Sequence, residues 1–211
     1  MKGLLLKDYY VLKKQLPILL LMTTAFAFAG NSFSIYVIIY SALLPVTAIA
    51  YDERSKWDIL ASSMPYTIRQ LVLSKYVLGW IMIIASSVVC AAAELIAAAV
   101  KNAAGFIPDF SYFSNFIGGQ YIGVMLIALI LPFVMKVGVE KARILYSILL
   151  GFCAAIIITS RFFIDSLAQF VFGSSNLTAF IIISVSLLLA VSVSILSIKI
   201  SMSFYKKKNR T

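Results

Sequence analysis

The stretch YDERSKWDILASSMPYTIRQLVLSKY, residues 51–76, carries four basic and three acidic side chains in a chain that is otherwise mostly apolar. Of the 211 residues, 62% are hydrophobic and 12% are charged, whereas soluble domains are about half apolar and about a quarter charged. Apolar runs flank this stretch on both sides, and about 20 apolar residues are enough to cross a bilayer. The sequence therefore predicts an all-α integral membrane protein in which the charged stretch connects two spanning helices.

The apolar run that precedes the charged stretch, from Leu16 to Tyr51, is too long for one crossing, because a helix of that length would measure about 54 Å. The residues Gly30-Asn31-Ser32 favour a turn and divide this run into two helices. In all, six spanning helices are predicted in a single transmembrane domain over residues 1–211. They lie at about 16–30, 33–51, 76–100, 116–135, 144–163 and 178–200, with 52–75 as a cytoplasmic loop.

Residues 1–15 precede the first predicted span and mix leucine and tyrosine with lysine. Leu5, Tyr9, Leu12 and Leu16 fall on one face of a helix, and lysine side chains can extend their ammonium groups to lipid headgroups. This pattern predicts an amphipathic helix in the membrane interface. No small-residue cleavage site follows a short apolar stretch, so a removable signal peptide is not predicted.

The distribution of lysine and arginine predicts the orientation, since cytoplasmic loops are enriched in both residues. With both termini in the cytoplasm, 16 of the 18 basic residues lie in or beside inner segments, and Lys101 and Arg161 lie toward the outer face. The net charge of +10 then follows from the topology, so no nucleic-acid partner is needed to explain it.

Several kinds of catalytic, metal-binding and nucleotide-binding site are excluded by the residue types and motifs that the sequence lacks. There is no histidine, and the two cysteines, Cys90 and Cys153, both lie in apolar runs. Histidine general bases, histidine metal ligands and Ser–His or Cys–His nucleophile pairs are therefore excluded. No GxxxxGK[ST] loop is present to hold a nucleotide phosphate. We predict that this chain is not an enzyme and holds no metal or cofactor.

Within the charged stretch, the spacing predicts a short amphipathic helix followed by a break. Trp57, Leu60, Ala61 and Met64 fall on one helical face, and Pro65 prevents simple continuation of the helix. Local ion pairs are predicted at a spacing of four residues, between Asp52 and Lys56 and between Arg54 and Asp58. A second helix is expected to begin near Pro65 and run into the third span. The apolar face suits docking either on the bilayer or on a protein partner.

The segments MKGLLLKDYYVLKK at the start and DERSKWDILASSMPYTIRQLVLSKYVLGW after the second span resemble the membrane subunits of ABC-2 type transporters. The shared pattern is an acidic pair, a tryptophan a few residues later, a break at proline and an SKY sequence where the third helix begins. It is similar to small bacterial permeases that export phenol-soluble modulins, bacitracin-type peptides and lantibiotics. Here SSMP stands where these proteins often have leucine before the proline.

The resemblance implies a type V exporter-like fold and a mechanism in which the loop after the second span is a coupling helix. That helix would dock on a separate ABC ATP-binding subunit, which would carry ATP and Mg²⁺. Two such subunits would serve two permease copies, in a homodimer or a similar heterodimer, in a bacterial plasma membrane. The implied contact residues are Asp52, Glu53, Arg54, Trp57, Leu60 and Met64, with a second contact at Lys136, Glu140, Lys141 and Arg143. The implied substrates are amphipathic peptides.

Three charged residues near the outer half of the predicted spans are candidates for a gate or a substrate pathway: Glu94, Arg161 and Asp165. A carboxylate at membrane depth is costly and usually functional, although Glu94 also suits a water-filled outer cavity. The alternative function is therefore an ion- or proton-coupled carrier or channel that uses Glu94. Arg161 and Asp165 are also spaced as a local ion pair. An intramembrane enzyme is disfavoured, because the predicted spans contain neither histidine nor a carboxylate pair at helical spacing.

Overall fold

The computed structural model describes residues 2–29, 34–100, 110–139 and 176–208. Within these ranges the regular structure is α-helical, in agreement with the predicted all-α class. The helices are α1 (Lys2–Leu12), α2 (Leu16–Ala29), α3 (Ser34–Ala42), α4 (Leu44–Arg54), α5 (Trp57–Ser62), α6 (Ile68–Val100), α7 (Phe110–Val137) and α8 (Asn176–Lys208).

Three helices in the described part of the chain are long and apolar enough to cross a membrane, over Ile68–Ala93, Gly119–Val137 and Leu189–Lys206. They belong to α6, α7 and α8 and overlap the third, fourth and sixth predicted spans. A shorter apolar helix covers Leu16–Phe26, within the first predicted span. The predicted span at 144–163 lies outside the described residues. The chain is therefore a helical membrane protein, and the number of six spans and their orientation stay predictions.

The segment predicted as one helix over 33–51 is divided in the structure between α3 and α4. Leu43 is the residue before α4, and Pro45 lies in the first turn of that helix. Proline is well tolerated there because the first turn leaves backbone N–H groups without helical acceptors. The second half then continues beyond the predicted end of the span and stops at Arg54.

The start of α6 follows from two neighbouring sequence signals. Pro65 interrupts helical structure, and Thr67 and Gln70 then form a reciprocal pair of hydrogen bonds. The Gln70 backbone N–H donates to Thr67 Oγ1 at 3.3 Å, and the Thr67 backbone N–H donates to Gln70 Oε1 at 3.2 Å. This arrangement is a capping box, which satisfies two donors that the first helical turn leaves unpaired. The helix consequently begins at Ile68, eight residues before the predicted start of the span at 76.

Helices α3, α4, α6, α7 and α8 share a buried apolar core. Close approach between them depends on Gly79 in α6, where an added Cβ would lie 2.6 Å from Ile127 Cδ1 and 3.0 Å from Pro45 Cγ. Even a methyl group at this position would therefore force the neighbouring side chains to shift. A second buried cluster joins the N-terminal helices to α4 and α6 through Leu12, Leu19, Val37, Leu44, Ala48, Leu78, Met82 and Cys90.

A chain of buried hydroxyl groups crosses from α8 through α6 to α7. Tyr76 Oη lies 2.6 Å from Ser197 Oγ and 2.7 Å from Ser201 Oγ, and Ser197 Oγ donates to the Ala128 carbonyl at 2.5 Å. Each hydroxyl has one proton to donate. Ser197 must therefore accept from Tyr76, and Tyr76 accepts from Ser201. The chain satisfies polar groups that would otherwise be costly in an apolar interior.

Candidate functional site

The predicted short helix after the second span exists as α5, Trp57–Ser62, and a sharp joint separates it from α4. Lys56 lies at this joint with φ of 52°, in the left-handed region that residues other than glycine rarely adopt. The predicted apolar face is divided between core and surface. Ala61 is buried, Trp57 and Met64 are half-buried, and Leu60 is 51% exposed.

Ile59, which the sequence reasoning did not select, is 70% exposed beside Leu60. The two side chains together form an apolar projection on α5, which we call the α5 knob. Arg54, before the joint, and Lys56, at the joint, are exposed. The chain therefore presents a small hydrophobic surface next to basic residues, which is the kind of surface that a protein partner can cover.

Behind α5, four charged side chains form a closed arrangement that we call the charge ring: Lys7, Asp8, Asp52 and Lys75. Lys75 Nζ lies 2.8 Å and 2.9 Å from the two carboxylate oxygens of Asp8 and 2.6 Å from Asp52 Oδ2. Lys7 Nζ lies 2.5 Å from Asp52 Oδ1 and 3.2 Å from Asp8 Oδ1. Each ammonium group therefore contacts both carboxylates, and the charges balance.

The charge ring connects three helices that are far apart in sequence. Lys7 and Asp8 belong to α1, Asp52 to the last turn of α4 and Lys75 to the N-terminal part of α6. Asp8 is only 1% exposed. A charge at that depth requires partners, because removing a carboxylate from water is costly unless an opposite charge and hydrogen bonds compensate it. The ion pairs of Asp52 are thus with Lys7 and Lys75, in contrast to the local pair with Lys56 that its spacing suggested.

Lys7 also contacts the first residue of α5. Its Nζ lies 4.3 Å from the centre of the Trp57 ring, within the range of a cation–π interaction. Trp57 is half-buried, and part of its contact is with a charged group on a face predicted to be wholly apolar. The indole lies against an ammonium group of the charge ring, and the ring thereby reaches from α1 to α5.

Helix α1 packs on the protein through a face that the sequence did not predict. Leu4, Asp8 and Leu12 are buried against the rest of the protein, while Tyr9 and Tyr10 are exposed. The exposed aromatic side chains suit the interfacial location predicted for this helix, since tyrosine favours the boundary between lipid and water. The helix is nevertheless held to the protein by a charged residue at the centre of its buried face.

Glu53, the residue after Asp52, binds the end of α7. Its Oε2 accepts a hydrogen bond from the Val139 backbone N–H at 2.8 Å. The preceding Gly138 has φ of +86°, which glycine adopts without steric cost, and an added Cβ there would lie 3.3 Å from Glu53 Oε1. The last turn of α4 therefore adjoins the start of the second predicted contact, the segment that begins at Lys136.

A small cavity adjoins the charge ring and marks the place where six helices meet. Its lining includes Leu4 and Lys7 of α1, Asp52 of α4, Trp57 of α5, Lys75 of α6 and Tyr205 of α8, and α7 contributes Met135. The wall is mainly apolar despite these charged groups. The cavity therefore lies between α5 and the five other helices that line it.

The remaining predicted residues have the following positions. Lys136 is exposed at the end of α7, with its Nζ 5.0 Å from the centre of the Phe204 ring of α8. Glu94 belongs to α6, but its side chain lies outside the described part of the structure. Five other predicted residues lie outside the described part of the chain: Glu140, Lys141, Arg143, Arg161 and Asp165.

Comparison with known proteins places these observations in a family. The model of a family described as ABC-2 family transporter protein matches residues 3–206, which is nearly the whole chain. No curated protein and no solved structure matches the chain. The family is one of membrane subunits and implies a separate ABC ATP-binding partner. The chain belongs to the ABC-2 transporter family and is a permease subunit of an ABC transporter.

Proposed function

We propose that this permease is the membrane part of an ATP-driven exporter in a bacterial plasma membrane, and that its ATP-binding subunit docks on α5. The observation that supports this most directly is the α5 knob. Ile59 and Leu60 are 70% and 51% exposed on a helix that follows the left-handed joint at Lys56. The first residue of that helix, Trp57, lies against Lys7. An exposed apolar pair on a fixed support is suited to bind a groove in another protein.

In this proposal the six predicted contact residues have two different roles. Leu60, together with Ile59, enters the partner, and Arg54 contributes charge at the edge of the contact. Trp57 and Met64 support the knob from the half-buried side. Asp52 and Glu53 act from behind by binding Lys7, Lys75 and Val139, which positions α5 relative to the rest of the permease.

The second predicted contact, beginning at Lys136, adjoins the first because Glu53 holds the backbone at Val139. We propose that the ATP-binding subunit covers both segments. Two permease copies and two ATP-binding subunits form the working unit, and ATP and Mg²⁺ bind to the latter. Amphipathic peptides are the proposed substrates, in keeping with the resemblance to small peptide exporters, and they leave through a pathway between the permease copies.

The test uses the chain purified together with its ABC ATP-binding subunit. The double substitution Ile59→Asp and Leu60→Asp removes the apolar knob while leaving the buried residues of α5 in place. Burial of two such side chains contributes about 1.5–3 kcal/mol each, so the affinity for the subunit should fall by at least about 100-fold. Arg69→Asp is the control, because it introduces the same side chain at an exposed position of α6 outside α5.

Two further measurements make the result specific. The double variant and the control should both melt at the temperature of the parent, since each replaces exposed side chains only. ATP-dependent uptake of a labelled amphipathic helical peptide into inverted vesicles should disappear in the double variant and persist in the control. Undiminished subunit binding by the double variant would show that α5 is not the docking site. Transport that requires an ion gradient and no ATPase would favour the carrier alternative.

A further inference from the structure

The charge ring has a geometry that simple anchoring of α1 does not require. The pair between Asp8 and Lys75 would be sufficient to hold α1 on α6, because Asp8 accepts two hydrogen bonds from that lysine. The ring also includes Asp52, which lies between the two lysines and belongs to the last turn of α4. This third helix leads directly into the joint at Lys56 and then into α5.

The ring reaches α5 from a second direction as well. Lys7 contacts Trp57, the first residue of α5, and the same ammonium group contacts both carboxylates of the ring. The segment that carries the α5 knob is therefore held before its joint by Asp52 and after its joint by Lys7. A displacement of α5 in any direction acts on one of these two contacts.

Separation of the ring is disfavoured by the burial of Asp8. Asp8 is 1% exposed where α1 packs on α6, and movement of α6 away from α1 would remove its principal partner. Breaking a buried ion pair by removing one partner is strongly destabilising. If α4 moved away, Lys7 and Lys75 would share the single remaining carboxylate. The favourable response to a push on α5 is therefore movement of all three helices together.

We propose that the charge ring is a positioning element that makes α1, the C-terminal turn of α4 and the N-terminal part of α6 move with α5 as one unit. Under the proposed function, on which this inference rests, displacement of α5 by the ATP-binding subunit would reach the membrane-spanning part of α6 through two side chains of α1. Helix α1 would then be part of the transmission as well as a membrane anchor.

The experiment measures distances in the complex of the chain with its ATP-binding subunit. Spin labels are placed at Tyr10 of α1 and Arg69 of α6, both exposed, in a background carrying Cys90→Ala and Cys153→Ala. Labelled protomer is diluted with unlabelled chain, and the label-to-label distance is recorded without nucleotide and in the ATP–vanadate state. A second pair, at Tyr51 of α4 and Arg69, reports on the other side of the ring.

In the parent chain both distances should be the same in the two states. The test variant is Asp8→Asn with Lys75→Met, which removes one negative and one positive charge and leaves the pair of Lys7 and Asp52. Because the remaining charges balance, this variant keeps its fold, but the ion pair between α1 and α6 is lost and apolar contacts are left to connect the two helices. Its distance between Tyr10 and Arg69 should change by at least about 2 Å between the states, the size of helix shifts in switching transitions.

The possible outcomes separate this inference from the proposed function. A change of similar size in the parent chain would overturn the inference, because the helices would not be moving as one unit. Constant distances in the double variant would also overturn it, since the ring would then be dispensable for holding them together. If the ATP-binding subunit does not associate with the parent chain, the proposed function fails and this inference fails with it. Association that persists in the Ile59→Asp and Leu60→Asp variant would reject the docking site on α5 and transmission through it, whereas the distances would still decide whether the three helices move as one unit.

Discussion

Asp8 is the most deeply buried member of the charge ring, and its substitution tests whether the ring is the compensated arrangement that its distances indicate. Asp8→Asn keeps the size of the side chain and one acceptor oxygen but removes the negative charge. The ring is then left with Lys7 and Lys75 facing the single carboxylate of Asp52. The variant therefore carries one uncompensated positive charge at a site from which water is largely excluded.

The loss of stability expected for Asp8→Asn depends on which ion-pair partners the two lysines keep. Breaking a buried ion pair costs about 3–5 kcal/mol, because the surviving charge stays buried. Lys75 keeps Asp52 at 2.6 Å and Lys7 is partly open to water, so the lower end of that range, about 3 kcal/mol, is expected. For a chain of this size, about 2–4 °C of melting temperature corresponds to each kcal/mol. Asp8→Asn should thus melt about 6–12 °C below the parent.

The chain provides its own reporter for the assay. Cys90 is buried in the apolar cluster that includes Leu12 and Met82, so a thiol-reactive dye should label it when the protein unfolds in detergent. Cys153→Ala removes the other thiol. The paired variant, Asp8→Asn with Lys75→Met, restores charge balance and should melt within about 4 °C of the parent, since replacing a whole buried pair is close to neutral.

Two results would refute this reasoning. Unchanged melting of Asp8→Asn would mean that the carboxylate is not a buried member of an ion-paired group. A paired variant that melts as low as Asp8→Asn would mean that the loss comes from packing or helix contacts at residue 8, and that charge balance is not its cause.

Two further predictions concern packing between the spanning helices. Tyr76→Phe should lower the free energy of unfolding by about 1 kcal/mol, because Ser197 and Ser201 each lose a buried hydroxyl partner. The loss should be smaller in a Ser201→Ala background, and equal losses in both backgrounds would contradict the hydroxyl chain. Gly79→Ala should lower the free energy of unfolding by about 1–3 kcal/mol, because its Cβ would be forced against Ile127 Cδ1. Ile127→Val removes that atom and should recover part of the loss. Gly3→Ala, whose Cβ would have its nearest atom at 3.4 Å, is the control and should melt no lower than the parent.

The features that were predictable from sequence are those specified locally. Apolar runs indicated a helical membrane protein, and Pro65 indicated the break between α5 and α6. Two other local signals also mark helix boundaries. Pro45 indicates the division between α3 and α4. The TIRQ sequence at Thr67–Gln70 is a capping box that determines the first residue of α6. These two signals are sufficient to predict where α4 and α6 begin.

The charge ring could not be derived in the same way. Its members pair across 45 and 67 residues of sequence, and which lysine meets which aspartate depends on how α1 packs beside α4 and α6. Spacing within the charged stretch instead suggested pairing of Asp52 with Lys56, which the left-handed joint places beyond the end of α4. The same joint turns Ile59 outward, so the composition of the α5 knob is a property of the tertiary structure.

The balance of charge in the ring has a consequence for how the transporter meets the membrane potential. Moving one elementary charge through 100 mV costs or yields about 2.3 kcal/mol. The ring contains two ammonium and two carboxylate groups, so carrying it as a unit along the field transfers no net charge. Movement of the ring with these helices therefore adds no electrical work to the stroke, and this contribution is the same in a fully polarised cell and in one whose potential has collapsed.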